Sequence, residues 1–595
     1  MAEKGSLNQQ LGTDQVIWNL TDLYQSIDAP ELESDIAWCK NEAAAINRDF
    51  KGSVATLSAT QLSRLIKRLE TLDSRIGSLA TFGFLNFTTQ VSDDKAGALY
   101  QRIIEIANQC NKDTVFFELE WNRLDESIAE QLLTTEQIQP YHHYLDSMRR
   151  YRPHQLEEME ERLLLELKSV GRKSWTTLFE KVIGNLRFGE QGRTEEEVLS
   201  DLYRPERVLR KQAAADLTEG LKSQSHILCH IYNTLAAEKM ISDRLRNHQE
   251  WVSSMNLDNQ ISDETVTTLI ESVVSRYDIV NRYYHLKKGL LGLDSLCDYD
   301  RYAPLPSLPS ETIPWRDCRR MVLDSFSDFS EEMGNIAEKF FSKSWIHAPV
   351  RQGKRGGAFA HPCVPDVHPY VMVNYTGTLR DVSTVAHELG HGVHQVLASR
   401  KGYYNSDTPL VLAETASVFA ELLIFKSQLE ALTDPAEKRA FICQKLESIF
   451  ATVFRQVAMN RFEQRMHQGR RTHGELSADK LGDYWLETQQ EMFGDSVELR
   501  DDYRTWWSYI PHFLSTPGYV YSYAFGELLV LALYGIYKKS GSDFTEKYLA
   551  LLNAGGSDTP YRLLEPFGID LNDQSFWLQG LDVIDEMLQE VEQMG

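Results

Sequence analysis

A chain of 595 residues with 42% apolar side chains is long enough to fill two or more cores. Its 86 acidic side chains against 62 basic ones leave a net charge of −24, which argues against nucleic acid or an anionic membrane surface as a partner. An acidic surface is also the ordinary means of staying soluble.

The first ten residues, Met1-Ala-Glu-Lys-Gly-Ser-Leu-Asn-Gln-Gln10, lack the apolar core of an export signal. Seven cysteines, at 39, 110, 229, 297, 318, 363 and 443, are scattered without any Cys-x-x-Cys pair. That is a reduced, intracellular pattern with no cysteine zinc site. Apolar residues recur at three and four along 60–80, 95–122, 155–170, 206–242, 262–290 and 330–342, which predicts helices. Gly189-Glu-Gln-Gly192 interrupts the pattern, and Thr194-Glu-Glu-Glu197 opens a freshly capped helix. The main boundary is placed there, with an N-terminal helical domain over 1–190 and a second domain over 191–595. Ala303–Pro314 holds four prolines and predicts a rigid extended connection into a helix after Trp315.

Between 345 and 376 the composition turns to glycine, proline and valine, the place for a small sheet. Its loop 353–358 carries Gly356 and Gly357, followed by Ala358. Glycines there let the backbone approach a ligand and offer N–H groups to a peptide carbonyl; a plain flexible turn is the alternative. No strand–loop–helix phosphate pattern accompanies the loop. Tyr370-Val-Met-Val-Asn-Tyr375 reads as a strand with Val371, Val373 and Tyr375 on one face. Thr378, three residues before Asp381, then caps a helix that runs through residues 387–391.

Those five residues are His387-Glu-Leu-Gly-His391. On a helix His387 and His391 lie one above the other and can share one zinc ion. Glu388, turned by about 100°, can take a proton from a water at the metal. A helix whose two histidines bind nothing is the bland alternative. Zinc needs a third protein ligand and an open fourth position. A metzincin would continue with glycine at 394 and histidine at 397, whereas this chain has His394 and Leu397. The remaining option is a carboxylate from a second helix. In Val411-Leu-Ala-Glu-Thr-Ala-Ser-Val-Phe-Ala-Glu421, Glu414 and Glu421 share one face among small residues that permit close helix approach. Glu414 is assigned as the ligand and Glu421 as acceptor for the N–H of a ligand imidazole. A solvent-facing glutamate stripe is the alternative. Farther on, the longest apolar run, Leu528–Tyr537, is about half of a ~20-residue membrane span. The expectation is a soluble, cytoplasmic protein.

Asn374-Tyr-Thr-Gly-Thr378, His387-Glu-Leu-Gly-His391 and Glu414-Thr-Ala-Ser417 together resemble the M3 family of zinc oligopeptidases, nearest its oligoendopeptidase F branch. The likeness extends to Asp201-Leu-Tyr-Arg-Pro-Glu-Arg207, Gly353-Lys-Arg-Gly-Gly-Ala-Phe359, Pro511-His-Phe513 and Tyr519-Val-Tyr-Ser-Tyr523. The resemblance implies a mainly α fold: a two-lobed helical zincin with a small β-sheet beside the active-site helix and a deep substrate channel. It implies one Zn2+ per chain, a peptidase domain over 191–595, and short unstructured peptides as substrates. It agrees with a glutamate ligand on the helix after the metal helix. It also implies that a histidine and tyrosines of a C-terminal loop face the metal and stabilise the oxyanion. The matching positions are His512, Tyr519, Tyr521 and Tyr523. Tyr519 and Tyr523, four apart, are preferred as donors, leaving Tyr521 to substrate binding; an aromatic-rich core turn is the alternative.

The expected chemistry is hydrolysis of internal peptide bonds, with zinc on His387, His391 and Glu414 and with Glu388 as general base. A related exopeptidase that trims dipeptides from C-termini is one rival, although no basic residue in the sequence identifies a subsite for the free carboxylate. A non-catalytic peptide-binding protein is the other. The intact Glu388 speaks against it.

Overall fold

The structure, a computed structural model, describes residues 6–168, 170–306, 312–540 and 542–594. It is mainly helical, and its strands form one small three-stranded sheet among the described residues. The chain makes two compact units, each from three separated stretches. Unit 1 comprises Met1–Gln155, Ser310–Glu430 and Tyr537–Gly568; unit 2 comprises Leu156–Pro309, Ala431–Ile536 and Ile569–Gly595. This spatial division interleaves the chain, whereas the sequence reading makes one cut at residue 190.

In unit 1 the helices Pro30–Phe50, Ala59–Thr89 and Asp94–Thr114 pack through Leu32, Ile36, Leu62, Leu65, Ile66, Leu69 and Ile103. Ser58 opens the second of these with a reciprocal Ser58–Gln61 cap. The periodicity over 95–122 divides at Val115 into two helices, the second being Phe116–Arg123. The Pro-rich connection 303–314 lies partly outside the described residues, and a helix does begin at Trp315.

The sheet consists of β1 (Ile346–His347), β2 (Phe359–His361) and β3 (Tyr370–Met372) in the order β1-β3-β2. β1 runs parallel to β3, and β2 runs antiparallel to it. As the central strand, β3 is buried on both faces, so Tyr370, Val371 and Met372 are all interior. The strand ends at Met372, short of the sequence reading, and its burial does not alternate. Trp18 covers it, edge-on to Tyr370 at 6.0 Å.

The motif helix Leu379–Ala398 packs against β2 and β3, and the glutamate helix Thr415–Ala431 packs against the motif helix at Gly390. Phe329, Phe419, Phe544 and Tyr548 form an aromatic cluster against the latter, and the Tyr548 hydroxyl donates to the Thr415 carbonyl at 2.9 Å.

Unit 2 is built on the helices Arg207–Ser223, Ser225–Leu245, Phe454–His473 and Ala478–Phe493 around Phe462, Trp485, Trp506 and Trp507. The expected cap at Thr194 is present, with Glu197 answering it. The apolar run 528–537 sits in the helix Tyr521–Ser540. Gly580 of a neighbouring helix packs so closely that a Cβ there would come within 2.6 Å of the Leu528 carbonyl oxygen. Among the described residues no helix is long and apolar enough to cross a membrane. All seven cysteines are free thiols.

Candidate metal centre

The motif helix starts where the sequence says it should. The Thr378 hydroxyl accepts from the Asp381 N–H at 3.1 Å, and Asp381 accepts from the Thr376 and Thr378 N–H groups at 3.1 and 3.0 Å. Two turns later His387 and His391 lie on one face with their rings edge to face, ring centres 4.8 Å apart.

The third group comes from a break in the chain's helical course. The segment read as one helix from 411 to 421 is a short helix, Leu410–Ala413, then Glu414 outside any helix, then Thr415–Ala431. The Ala413 backbone, next to the break, favours the protonated forms of both His391 and His394. Close approach of the helices depends on Gly390, whose hypothetical Cβ would lie 2.6 Å from the Ala416 carbonyl oxygen. On the opposite side Gly392 faces the Phe340 ring at 2.5 Å by the same measure.

The result is a compact donor set. His387 Nε2 and His391 Nε2 each lie 3.5 Å from Glu414 Oε2. His387 Nδ1 meets Glu421 Oε1 at 2.6 Å, so this imidazole donates outward and keeps Nε2 free as a lone-pair donor. Ser417 Oγ donates to Glu414 Oε2 at 2.8 Å and steadies the carboxylate. Tetrahedral zinc with bonds of about 2.0–2.1 Å needs ligand atoms about 3.3–3.4 Å apart. The two nitrogens, the carboxylate oxygen and their spacing fit that ion, and His387, His391 and Glu414 form a group with all three ligand atoms within 4.8 Å of one another.

Charge and burial shape the rest. Burial works to lower His387, yet the Glu421 carboxylate, then Glu414 and Glu388, raise it to about 9. Burial takes His391 down to about 4, with Glu414 opposing. Glu388 is only 7% exposed. Burial raises its carboxyl to about 7, while His387 and a hydrogen bond with the Ala360 backbone pull the other way. The Ala360 contact ties the candidate base to β2, a link with no sequence signal.

Comparison with known proteins shows the family. The profile described as Peptidase family M3 matches residues 201–583. The chain belongs to peptidase family M3. A second profile, described as Oligopeptidase F, matches residues 120–188. Oligopeptidase PepF of Bacillus subtilis is 25% identical, over 100% of this chain and 90% of the relative. Group B oligopeptidase PepB of Streptococcus agalactiae is 26% identical, over 84% of this chain and 83% of the relative. Oligoendopeptidase-F from Enterococcus faecium has the same fold, with a TM-score of 0.73 at 22% identity, covering 95% of this chain and 98% of that one. A Chlamydophila abortus protein superposes with a TM-score of 0.86 at 24% identity and covers 98% of both chains. As an M3 member the chain is a metallopeptidase.

The glycine loop of this M3 chain is held from both sides. Asn374 Nδ2 donates to the Arg355 and Gly357 carbonyls at 3.0 and 2.9 Å. Lys354 Nζ donates to the carbonyls of His347, Pro349 and Val373 at 3.2, 2.9 and 2.6 Å. Burial lowers this lysine to about 7, with Arg351 adding. Gly357 has φ +78° and needs glycine for its own backbone, while a Cβ at Gly356 would meet open space. Ala358 is half-buried just before β2.

The C-terminal residues assemble within unit 2. Tyr523 Oη lies 3.4 Å from His512 Nε2, and the Tyr519 and Tyr523 rings are 4.9 Å apart. Tyr519 precedes the helix that starts at Tyr521, so the pair meet without sharing a helix face. Tyr521 is a correction. It is fully buried, its hydroxyl accepts from Asn259 Nδ2 at 2.9 Å, and no substrate can reach it. Burial also lowers the His512 imidazole, with the charge of Arg455 adding.

Proposed function

We propose that this M3 peptidase is a zinc-dependent oligoendopeptidase that hydrolyses internal bonds of short, unstructured peptides in the cytoplasm. The observation that carries the reading is the donor set: two imidazole Nε2 atoms equidistant at 3.5 Å from one Glu414 oxygen, with Glu421 on the Nδ1 of His387. His387, His391 and Glu414 hold the ion. Glu421 fixes His387 in the tautomer that ligation needs. Zinc bound there acidifies water and polarises a peptide carbonyl.

Glu388 takes the proton of the attacking water on its carboxylate and passes it to the leaving amine. Its burial supports that role, since a carboxyl shifted toward neutral pH both accepts and returns a proton readily. His512 with Tyr523 or Tyr519 donates hydrogen bonds to the carbonyl oxygen as it becomes anionic, a contribution of about 3–4 kcal/mol for one such donor. Gly356, Gly357 and Ala358 offer backbone groups to the substrate chain. The relatives named for oligopeptide cleavage support the substrate class.

The test combines metal analysis with kinetics of Glu388→Gln. The expected outcome is about one zinc per chain in both proteins, loss of peptide cleavage with chelator, and a rate at least ~100-fold lower in the variant. A metal-stripped protein that cleaves at the parent rate overturns the reading, and so does a fully active glutamine variant.

A further inference from the structure

Five backbone carbonyls around the glycine loop of unit 1 take hydrogen bonds from side chains. The Lys354 ammonium folds back on its own loop and donates to the carbonyls of His347, Pro349 and Val373 at 3.2, 2.9 and 2.6 Å. The residue is half-buried, although lysine ordinarily carries its charge out to water. The Asn374 amide donates to the carbonyls of Arg355 and Gly357 at 3.0 and 2.9 Å. His347 ends β1, and Val373 and Asn374 follow directly on β3, so both clamps stand on the sheet. The loop is moored to a helix end as well. The Arg355 N–H donates to the carbonyl of Thr88, in the last turn of Ala59–Thr89, at 2.9 Å, and the Gly353 carbonyl accepts the Val91 N–H at 2.7 Å.

A tight turn ordinarily closes with a hydrogen bond between its own backbone groups. Here two side chains supply the donors instead. Among the described residues the N–H groups of Gly356 and Gly357 donate to no protein acceptor, and both residues are exposed. The loop is thus fixed at its edges while two adjacent N–H groups stay open. We infer that Lys354, with Asn374, is a positioning residue for peptide binding: it holds loop 353–358 in the shape that keeps the Gly356 and Gly357 N–H groups free for a carbonyl of an extended peptide. The role rests on the substrate contact proposed for that loop. Donors fixed before the substrate arrives bind it without the entropic cost of ordering the loop in the complex.

Lys354→Met keeps the length of the side chain and removes its donors, and Asn374→Ala removes the other clamp. Peptide affinity is measured by calorimetry with each substitution in zinc-loaded Glu388→Gln protein, and kcat and KM with the same substitution in the otherwise unaltered enzyme. Kd and KM are expected to rise about 5- to 50-fold in either variant, as for the loss of one or two hydrogen bonds to the substrate, with kcat and zinc affinity within about twofold of the parent. Lys354→Arg keeps the charge but cannot place three donors on one atom. It is expected to recover part of the affinity, and it carries the test should the methionine variant not fold. Peptides in which single carbonyls are replaced by CH2 locate the contact. The replacement that weakens binding to the parent about 5- to 10-fold is expected to cost less than about twofold in Lys354→Met, and additive effects overturn the inference. Variants that melt lower yet bind peptide like the parent leave Lys354 a plain structural lysine and overturn it too, as does a loss confined to kcat or accompanied by loss of zinc. Weaker peptide binding in Lys354→Met, alongside a parent that cleaves nothing, supports the positioning role while overturning the peptidase reading.

Discussion

Replacing Gly390 by alanine attacks the metal centre through packing alone. The added Cβ would stand 2.6 Å from the Ala416 carbonyl oxygen and 2.7 Å from the Ser417 Cα. Both are backbone atoms of the glutamate helix, so no change of rotamer relieves the clash. Restoring ordinary contact, from 2.6 to 3.4 Å, parts the helices by about 0.8 Å. Overpacking of this kind costs about 1–3 kcal/mol. Alanine's better helix propensity offsets about 1 kcal/mol of that. The net destabilisation is modest, but the site is not so forgiving. Ser417 holds Glu414, so the carboxylate travels with the displaced turn, away from two nitrogens that now sit at 3.5 Å. Zinc affinity is expected to fall about 10–100-fold, as when an outer partner of a ligand is lost. Competition against a chromogenic chelator reads the affinity, and thermal melting of the metal-free protein reads the packing. A variant that binds zinc like the parent and melts at the same temperature would refute the argument that this glycine sets the distance between ligands.

Two further outcomes follow from the same structure. Glu421→Gln removes the charge that orients His387 and is expected to weaken zinc binding about tenfold or more, with peptide cleavage falling in step when zinc is limiting; an unchanged affinity in the chelator assay counts against the orienting role. Glu463 of unit 2 is fully buried, accepts the Gly518 N–H at 2.8 Å, and is pushed up to about 8 by burial, with Lys239 and Arg172 opposing. The folded protein therefore holds a proton that the unfolded chain releases near 4.5, so this group's contribution to stability declines as pH rises from about 4.5 to about 8. Glu463→Gln keeps an acceptor for Gly518 and abolishes the titration. Its melting profile is expected to be flatter than the parent's over that window and to lie a few degrees higher at pH 9; parallel profiles contradict the assignment.

Local chemistry was legible wherever it depends on near neighbours along the chain. The Thr378–Asp381 cap, the His387–His391 pair on one helix face and the Thr194–Glu197 cap need only helical geometry, and all three are present. Glu421 meets His387 although the helical course breaks at Glu414, which the seven-residue spacing does not register. Errors arose where burial or a chain break decides. Tyr521 looks like its neighbours in sequence but turns into the core, and the strand from Tyr370 ends at Met372, where its pairing with both neighbouring strands ends. Asn374 and Lys354 sit inside noticeable motifs, yet their job of gripping loop carbonyls depends on segments far away in the chain.

The amino-acid order alone therefore determined the helical architecture, the two-histidine motif and the family, because these rest on periodicity and short spacing. Only the folded chain decided how Glu414 reaches the imidazoles and which tyrosines stay accessible. The reason is physical. Distances between helices, and the pairing or orphaning of buried charge, are set by contacts between residues tens to hundreds of positions apart, and no local pattern records them.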